Sequence, residues 1–494
     1  MTERKSNFLI ASLLLIGSLV YYYLLSSSIW TWVYASGDSG DWLQFTNWWI
    51  TPQPFGSPFF ITAIRLLGIL FPAADPYRLL IFSLSVVPAA IIVALVYYIG
   101  LELTHNKLQS LAASLVLMGM SLFLSQATVF EQYMTATLFI VAAFYAYLKD
   151  KWVWAVILLG IGLANHIMAG TIAVIWLAAE WKQRKRLFKL IPLFIIFGVL
   201  PYGLIAYLMT ADNPKLFAGY LSLPSLNVYF GILKTTGNLA MRGMPQRLLD
   251  VGIVLLSSLG LACYPLAVAL RKDYDTRKRA IVGTIIWVGW FWFSNTFFTT
   301  FKYMAIISPL IAAYVAVGLS KLPKWHTLLV MFGAICLIVV NAVFLNADKM
   351  AHADPQVTTL YDKLMSLPDG SAVLSPRGGA YGFVLFYALS QGKDLTPLLL
   401  AKQVFKSNGE PEMDKGYIDY LLWFKRHYTL SGDDHFEMTT DALDKGIEVY
   451  MLSPDSYEGY TNYFDMADTG TFGLVRITKT HVANWDEWQE AKRS

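Results

Sequence analysis

The sequence predicts a mainly α-helical, polytopic membrane bundle followed by a small soluble α/β domain. The 494 residues are 56% hydrophobic and only 15% charged, whereas soluble globular proteins average about 25% charged residues. Apolar runs of helix-like length recur from Phe8 to about Asn346, and polarity becomes ordinary after that point. We therefore predict a transmembrane module over residues 1–348 and a soluble domain over residues 349–494.

The first apolar run, Phe8–Leu25, lacks a small-x-small cleavage site, so we interpret it as a retained helix rather than a signal peptide. Arg4 and Lys5 precede it, and the excess of cations on cytoplasmic loops predicts a cytoplasmic N-terminus. The first loop, residues 26–60, is then expected outside the cell.

Two basic loops, Trp181–Lys189 and Arg271–Arg279, are expected in the cytoplasm. Placing both loops on the same side of the membrane requires a particular interpretation of two apolar segments. A plain hydropathy count would not give that interpretation. Phe59–Phe71 is short and bracketed by prolines, so it dips in and returns; Trp152–Ala179 is two short helices that meet at a polar break. The topology has about eleven helices crossing or nearly crossing a plasma membrane, with the C-terminal domain outside.

The remaining segments follow from pattern and length. Residues 210–250 form a long outer loop with several aromatic side chains, which is typical of a lid or binding loop. In the C-terminal domain SAVLSP, EVYMLSP and FGLVRIT predict strands, and TLYDKLMSLP and YGFVLFYALSQG predict helices. Only two cysteines occur, Cys263 and Cys336, so neither a disulfide framework nor a cysteine-based metal site is expected.

The first outer loop carries Asp38 and Asp41 in the motif DSGDW. Carboxylates at the edge of a membrane are energetically costly to hold there, so they usually have a function. One of them can act as a general base toward an acceptor hydroxyl. The structural alternative is that Asp41 only caps the helix-like run that follows it. The sequence does not decide which of the two would be the base.

Other polar groups interrupt apolar surroundings. Glu131 is a lone acid with two neighbouring glutamines, and its alternative reading is an interfacial residue. Asn165-His166 breaks a continuous apolar run; a lone histidine is more often a satisfied packing group than a ligand. A His–Asp–Glu set leaves a divalent metal ion open as a cofactor, without any short metal motif.

Lys302 lies between two apolar runs on the predicted outer side. A fixed cation there could stabilise a phosphate leaving group, and Arg65 is a second candidate for that role. The alternative for Lys302 is snorkelling toward lipid headgroups.

Several patches, taken in order, resemble one family: DSGDW, TPQPFGSPFF, SQATVFEQYM, GLANHIM and FKYMAIISPLIAAY. Together they resemble the GT-C class of polytopic glycosyltransferases. The nearest branch contains the transmembrane O-mannosyltransferases that act on plexin-type receptors, with their bacterial relatives. This sequence departs from that branch in having Asp41 for Glu, Gln132 for Val and Lys302 for Arg.

The resemblance implies an inverting transfer of a sugar from a polyprenyl- or dolichyl-phosphate donor, on the non-cytoplasmic face, with no certain cofactor. It assigns Asp38 as the catalytic base and Asp41 as the adjacent acid, and it leaves the acceptor open as protein, lipid or glycan. With a net charge of only +4, no nucleic-acid partner is expected. The residues implied to bind the donor are Glu131, Tyr133, Asn165, His166, Lys302, Tyr303 and Arg65.

A transporter or flippase of lipid-linked sugars is the competing hypothesis, since it would use the same acids in a substrate or proton pathway. Transporters often carry interrupted helices in both halves. Here the Gly/Pro-interrupted runs cluster in the first half, which favours the enzyme.

Overall fold

The computed structural model divides the chain into two compact units. The first unit comprises Met1–Ser28, Ser57–Thr62 and Arg78–Asp348, and the second comprises Ile29–Gly56, Ala63–Tyr77 and Lys349–Ser494. The structure describes residues 3–26, 57–72, 75–166, 168–210, 253, 256–270, 280–286, 288, 304–351, 355–376, 379–400, 404–405, 411–412, 435–452, 462–483, 487 and 490–491.

The described residues up to 351 are almost entirely helical, as their apolar periodicity predicts. Two helices contain one π-helical turn each, at Phe82–Val86 and Ile195–Val199. In chain order the α-helices are α1 Glu3–Ser26, α2 Pro58–Leu70, α3 Pro76–Ile81, α4 Val87–Thr104, α5 Lys107–Gly119, α6 Ser121–Ala127, α7 Tyr133–Leu148, α8 Trp152–Asn165, α9 Met168–Ala179, α10 Arg184–Phe194, α11 Leu200–Thr210, α12 Cys263–Ala269, α13 Met304–Leu319 and α14 Lys324–Ala351.

Helix α13 forms the centre of the first unit. All of its 16 residues are buried, and it packs against α4, α5, α7 and α12. A helix that is apolar on every side belongs in such a position, because it has no polar face to present to solvent. One of its buried hydroxyls is satisfied within the helix, since Ser308 Oγ donates to the carbonyl of Met304 at 2.7 Å.

Four helical segments of the described chain are long and apolar enough to cross a membrane: Arg4–Ser26, Tyr77–Thr104, Trp181–Leu204 and Lys324–Phe344. Helices α5 and α6, which are bent by 64° relative to each other, would make a fifth span if the pair is counted as one. The other apolar helices are shorter. The 13 residues of α2 extend only about 20 Å, less than the bilayer core of about 30 Å.

Helix α1 runs antiparallel to the long α3–α4 segment. Near its start, Asn7 Oδ1 accepts a hydrogen bond from Tyr97 at 3.4 Å. Near its end, Tyr23 packs edge-on against Phe82, with 5.8 Å between ring centroids. The N-terminus therefore lies at the end of the bundle where α4 finishes.

That same end of the bundle, which we call the basic end, is rich in cations. Lys149 forms an ion pair with Glu102 at 2.5 Å, and the Arg186 guanidinium lies 5.3 Å from the ring centroid of Trp152. These contacts bring the α7–α8 turn and the start of α10 beside the end of α4. The basic stretch Trp181–Lys189 and the N-terminal Arg4 and Lys5 thus lie at one end of the bundle, as predicted. The other basic loop, Arg271–Arg279, lies outside the described residues, and the side that faces the cytoplasm stays a prediction. The cations are Arg4, Lys5, Lys107, Lys149, Lys151, Lys182, Arg184, Lys185, Arg186 and Lys189.

The second unit contains a five-stranded mixed sheet with strand order β2-β1-β5-β7-β6. Strand β1 pairs in parallel with β2 and β5, whereas β7 pairs antiparallel with β5 and β6. The three strands and two helices predicted for this region are confirmed, giving the small α/β domain. Its elements are α15 Pro355–Ser366, β1 Ser371–Pro376, α16 Gly379–Ser390, β2 Leu395–Leu400, β3 Val404–Phe405, β4 Pro411–Glu412, α17 His435–Asp444, β5 Val449–Leu452, β6 Phe464–Thr471 and β7 Leu474–Thr480.

A tyrosine cluster joins two distant segments of the second unit. Tyr387 on α16 donates a hydrogen bond to Asp75 Oδ2 at 2.9 Å. The Tyr387 ring also contacts Tyr77 edge-on, with centroids 6.4 Å apart, and Tyr361 at 5.4 Å. Because Tyr387 is buried, this hydrogen bond satisfies a hydroxyl that water does not reach.

Candidate functional site

The candidate site lies at the end of the bundle opposite the basic end. Helices α7 and α8 are packed side by side and are joined by a three-residue turn at the basic end, so their far ends, Tyr133 and Asn165, come together. There the rings of Tyr133 and His166 contact each other, with centroids 5.0 Å apart and planes inclined by 44°. The structure therefore brings together two sequence motifs that are about thirty residues apart.

The turn that carries Glu131 connects α6 to α7 and is fixed from two sides. Ser85, in the π-helical turn before α4, donates to the carbonyl of Val129 at 2.8 Å. The ring of Phe130 stacks on Phe60 of α2, with centroids 5.6 Å apart. Glu131 itself is only 3% exposed. A carboxylate is costly to bury unless other groups stabilise it, so this position is a functional candidate.

Ser57 and Gln132 add a contact that sequence reasoning missed. Ser57 Oγ donates a hydrogen bond to Gln132 Oε1, and both side chains are buried. This bond ties the residue before α2 to the residue after Glu131. Gln132 stood out in the sequence only as a polar neighbour of Glu131, because nothing in a linear pattern indicates a partner 75 positions away.

The predicted break at Asn165-His166 is confirmed. Asn165 is the last residue of α8, and its Nδ2 donates to the carbonyl of Ile161 at 2.8 Å. His166 adopts an extended backbone, φ −157° and ψ 131°, which ends the helix. Its Nδ1 accepts the N–H of Met168 at 3.2 Å and so caps the start of α9. In neutral His166 the proton then resides on Nε2, which becomes the donor.

Two buried amide oxygens at this end of the bundle lack a hydrogen-bond donor among the described residues. They are Asn165 Oδ1 and Gln126 Oε1, the latter from the last turn of α6. Leaving such an acceptor unsatisfied costs about 1–3 kcal/mol. Acceptors of this kind suit a ligand with hydroxyl groups, which would supply the missing donors. Gln126 was noted in the sequence only as part of the surroundings of Glu131.

The other predicted residues fall elsewhere. Arg65 lies on α2, is partly buried, and belongs to the second unit. Asp38, Asp41, Lys302 and Tyr303 lie outside the described residues, so their predicted roles stay predictions. Within the described ranges, no three His, Cys, Asp or Glu side chains are grouped so that they could hold a metal ion.

We expect Ser57→Ala to lower the free energy of unfolding by about 1–2 kcal/mol, since the buried Gln132 oxygen loses its donor. Combined with Gln132→Leu, the double variant should recover part of that loss, with a coupling energy of about 1 kcal/mol. Denaturant unfolding of the purified protein in detergent measures both quantities.

Ser18→Ala is the matched control for this cycle. Ser18 is buried too, but its hydroxyl donates to Leu14 within α1, at 2.6 Å, so removing it breaks no contact between helices. Strictly additive effects of Ser57→Ala and Gln132→Leu would show that the Ser57–Gln132 bond contributes nothing.

Comparison with known proteins gives a structural match without a sequence match. No family model matches the chain, and no curated protein does. Two crystal structures of ArnT from Cupriavidus metallidurans, one bound to undecaprenyl phosphate and one in the apo state, superpose with a TM-score of 0.65 at 12% sequence identity. The match covers 96% of this chain and 98% of the ArnT chain. The chain thus has a GT-C-like membrane fold with a small α/β domain, as predicted.

Proposed function

We propose that this protein is an integral membrane glycosyltransferase that moves a sugar from a polyprenyl-phosphate donor to an acceptor hydroxyl. The observation that carries the proposal is the similarity to ArnT over nearly the whole of both chains, with undecaprenyl phosphate bound in one of the two structures. The sequence motifs of this chain resemble those of the GT-C class of glycosyltransferases. The cluster of buried polar groups at one end of the bundle supports the same function.

The proposed reaction is a single displacement. The acceptor oxygen forms a bond to the anomeric carbon of the sugar, and the bond from that carbon to the phosphate oxygen breaks with inversion. The phosphate oxygen keeps the electron pair and leaves as polyprenyl phosphate. The acceptor proton passes to a general base, for which Asp38 is the candidate and Asp41 the neighbouring acid.

The buried polar cluster would hold the sugar. Asn165 Oδ1 can accept a hydrogen bond from a sugar hydroxyl, and the His166 Nε2–H can donate one. The Glu131 carboxylate can accept two. Since the Nδ1 of His166 already caps α9, the imidazole ring is held in one orientation, and Tyr133 packs against it. Such fixed groups position the anomeric carbon for attack.

The leaving phosphate would be held by cations, for which Lys302 and Arg65 are the candidates, with Tyr303 beside Lys302. A fixed positive charge stabilises the negative charge that develops on the leaving oxygen. A divalent metal ion is the alternative source of that charge. We further propose that the site faces away from the cytoplasm and that the sheet domain recognises the acceptor, which the sequence leaves open as protein, lipid or glycan.

We expect Glu131→Gln to lower the rate of sugar transfer at least about tenfold, because the amide is a weaker acceptor and brings an N–H group toward the sugar. The assay uses the purified full-length protein with a polyprenyl-phosphate sugar and measures released polyprenyl phosphate and glycosylated acceptor.

Glu180→Gln is the matched control. Glu180 is also a buried carboxylate, 5% exposed, but it lies at the basic end, where it accepts hydrogen bonds from Tyr147 and Gln183. Its replacement should affect stability rather than turnover. Equal transfer rates for Glu131→Gln and the wild type would contradict the proposed sugar-binding role.

A further inference from the structure

The sequence Trp181–Lys189 forms the most basic surface in the described part of the chain. Five cations occur within eight residues, and all five side chains are exposed: Lys182, Arg184, Lys185, Arg186 and Lys189. They occupy the short 3-10 turn Trp181–Gln183 and the first two turns of α10. We call this surface the basic collar. None of its five cations forms an ion pair with a described residue.

Two acids at the same end of the bundle are already engaged. Glu180 is buried and accepts hydrogen bonds from Tyr147 and Gln183. Glu102 is paired with Lys149. The collar therefore keeps a strong net positive charge, and the neighbouring Lys149 and Lys151 lie at the same end of the bundle. A surface of this charge attracts anionic partners.

The helix that carries the collar continues directly into a surface suited to lipid. Trp181–Leu204 is a candidate membrane span, and only 6% of its most apolar stretch is buried inside the protein. Ile195, Ile196 and Leu200 are about half exposed, at 47%, 49% and 59%. The cations thus precede the lipid-facing stretch by one or two turns, which places them at headgroup depth.

Aromatic contacts hold two of the cations in place. Arg184 lies 5.6 Å from the ring centroid of Trp181, and Arg186 lies 5.3 Å from that of Trp152. Tryptophan favours the boundary between headgroups and acyl chains. Trp181 is 52% exposed, so its ring can lie at this boundary and hold Arg184 near the level of lipid phosphates. Trp152 is buried, and its contact ties Arg186 to the start of α8.

We propose that the basic collar binds the headgroups of anionic phospholipids in the membrane leaflet at the basic end. Clusters of four to eight Lys and Arg residues next to a membrane span attract anionic lipids electrostatically, and the attraction falls off within a Debye length. The collar would anchor α10 and, through Arg186 and Trp152, the start of α8. This inference does not depend on the proposed sugar transfer.

The test uses the full-length protein in detergent and counts bound lipid by native mass spectrometry. The probes are phosphatidylglycerol, phosphatidylcholine and inorganic phosphate. We expect phosphatidylglycerol to bind at least about tenfold more tightly than phosphatidylcholine. The triple variant Lys182→Gln, Lys185→Gln, Lys189→Gln should lose about tenfold in phosphatidylglycerol affinity. It leaves the two ring-bound arginines in place.

The matched control removes the same charge from the sheet domain: Lys363→Gln, Lys445→Gln, Lys479→Gln. It should bind phosphatidylglycerol like the wild type. Unchanged affinity in the collar variant, equal binding of phosphatidylcholine, or displacement of the lipid by an equal concentration of inorganic phosphate would each overturn the proposal.

A salt titration of the wild type keeps the test decisive if the triple variant does not fold. Raising the salt concentration from about 0.05 M to about 0.5 M should weaken phosphatidylglycerol binding, because it shortens the Debye length severalfold. Phosphatidylglycerol affinity that does not change with salt would exclude an electrostatic collar.

Discussion

Asp38→Asn is expected to reduce sugar transfer from a polyprenyl-phosphate donor by about 10²- to 10⁴-fold, the range that general-base catalysis contributes. Asparagine has nearly the same shape as aspartate but cannot take the acceptor proton. The loss should appear in kcat, with little change in the KM for the donor, since Asp38 is assigned to the acceptor side. Steady-state rates at saturating donor measure the effect.

Asp41→Asn, measured in parallel, decides which of the two acids is the base, because only one of them should show the larger loss in kcat. Asp369→Asn is the control for removing a carboxylate. Asp369 pairs with Lys393 in the sheet domain at 2.6 Å, well away in sequence from the first loop, and its loss should leave transfer unchanged.

The same variants separate the enzyme from a flippase of lipid-linked sugars. If neither the wild type nor Asp38→Asn transfers sugar while both move the lipid-linked sugar across vesicle membranes at equal rates, the glycosyltransferase proposal is wrong. If the wild type transfers sugar and the variant does not, the flippase hypothesis leaves the role of Asp38 unexplained.

Gly318→Ala is expected to destabilise the first unit by at least about 3 kcal/mol, at or above the upper end of the usual cost of overpacking. A Cβ atom at this position would overlap the carbonyl oxygen of Pro265 and lie 3.0 Å from its Cα. Both neighbours are backbone atoms, so α12 and α13 must separate to admit the methyl group. Because α13 is the buried centre of the bundle, that separation should affect every helix packed on it.

Gly17→Ala adds the same methyl group to α1, where a Cβ atom meets nothing within 4 Å. This control should be neutral or stabilising by up to about 1 kcal/mol, since alanine favours helix over glycine. Thermal unfolding of both variants in detergent compares them directly. Equal melting temperatures would show that α12 and α13 do not approach as closely as described.

Local patterns in the sequence were sufficient to predict the helices, the break at Asn165-His166 and the strands of the sheet domain. Each depends on neighbours within a few positions: an apolar run predicts a helix, and a polar pair inside a long apolar run predicts a break in it. SAVLSP could be assigned to a strand because it is short, apolar and bounded by turn residues.

Contacts between distant segments could not be predicted in this way. The proximity of Tyr133 to His166 was expected only from the family resemblance, and the Ser57–Gln132 bond was not expected at all. Periodicity shows which face of a helix is apolar. It does not show which neighbouring helix that face packs against, or which residues of the two helices lie at the same level along the bundle. That the oxygens of Asn165 and Gln126 lack a donor among the described residues likewise became visible only once the surrounding helices were placed.

The tyrosine cluster of the second unit has a consequence for dissecting the protein. Asp75 and Tyr77, near the start of the chain, supply a hydrogen-bond acceptor and a ring contact to Tyr387, which lies beyond residue 349. A fragment that begins at Lys349 would keep the contact of Tyr387 with Tyr361 but lose its hydrogen bond to Asp75 and its contact with Tyr77. The residues from Lys349 onward therefore do not contain all of the contacts of the sheet domain. Transferring this domain to another protein requires the short segment around Asp75 as well.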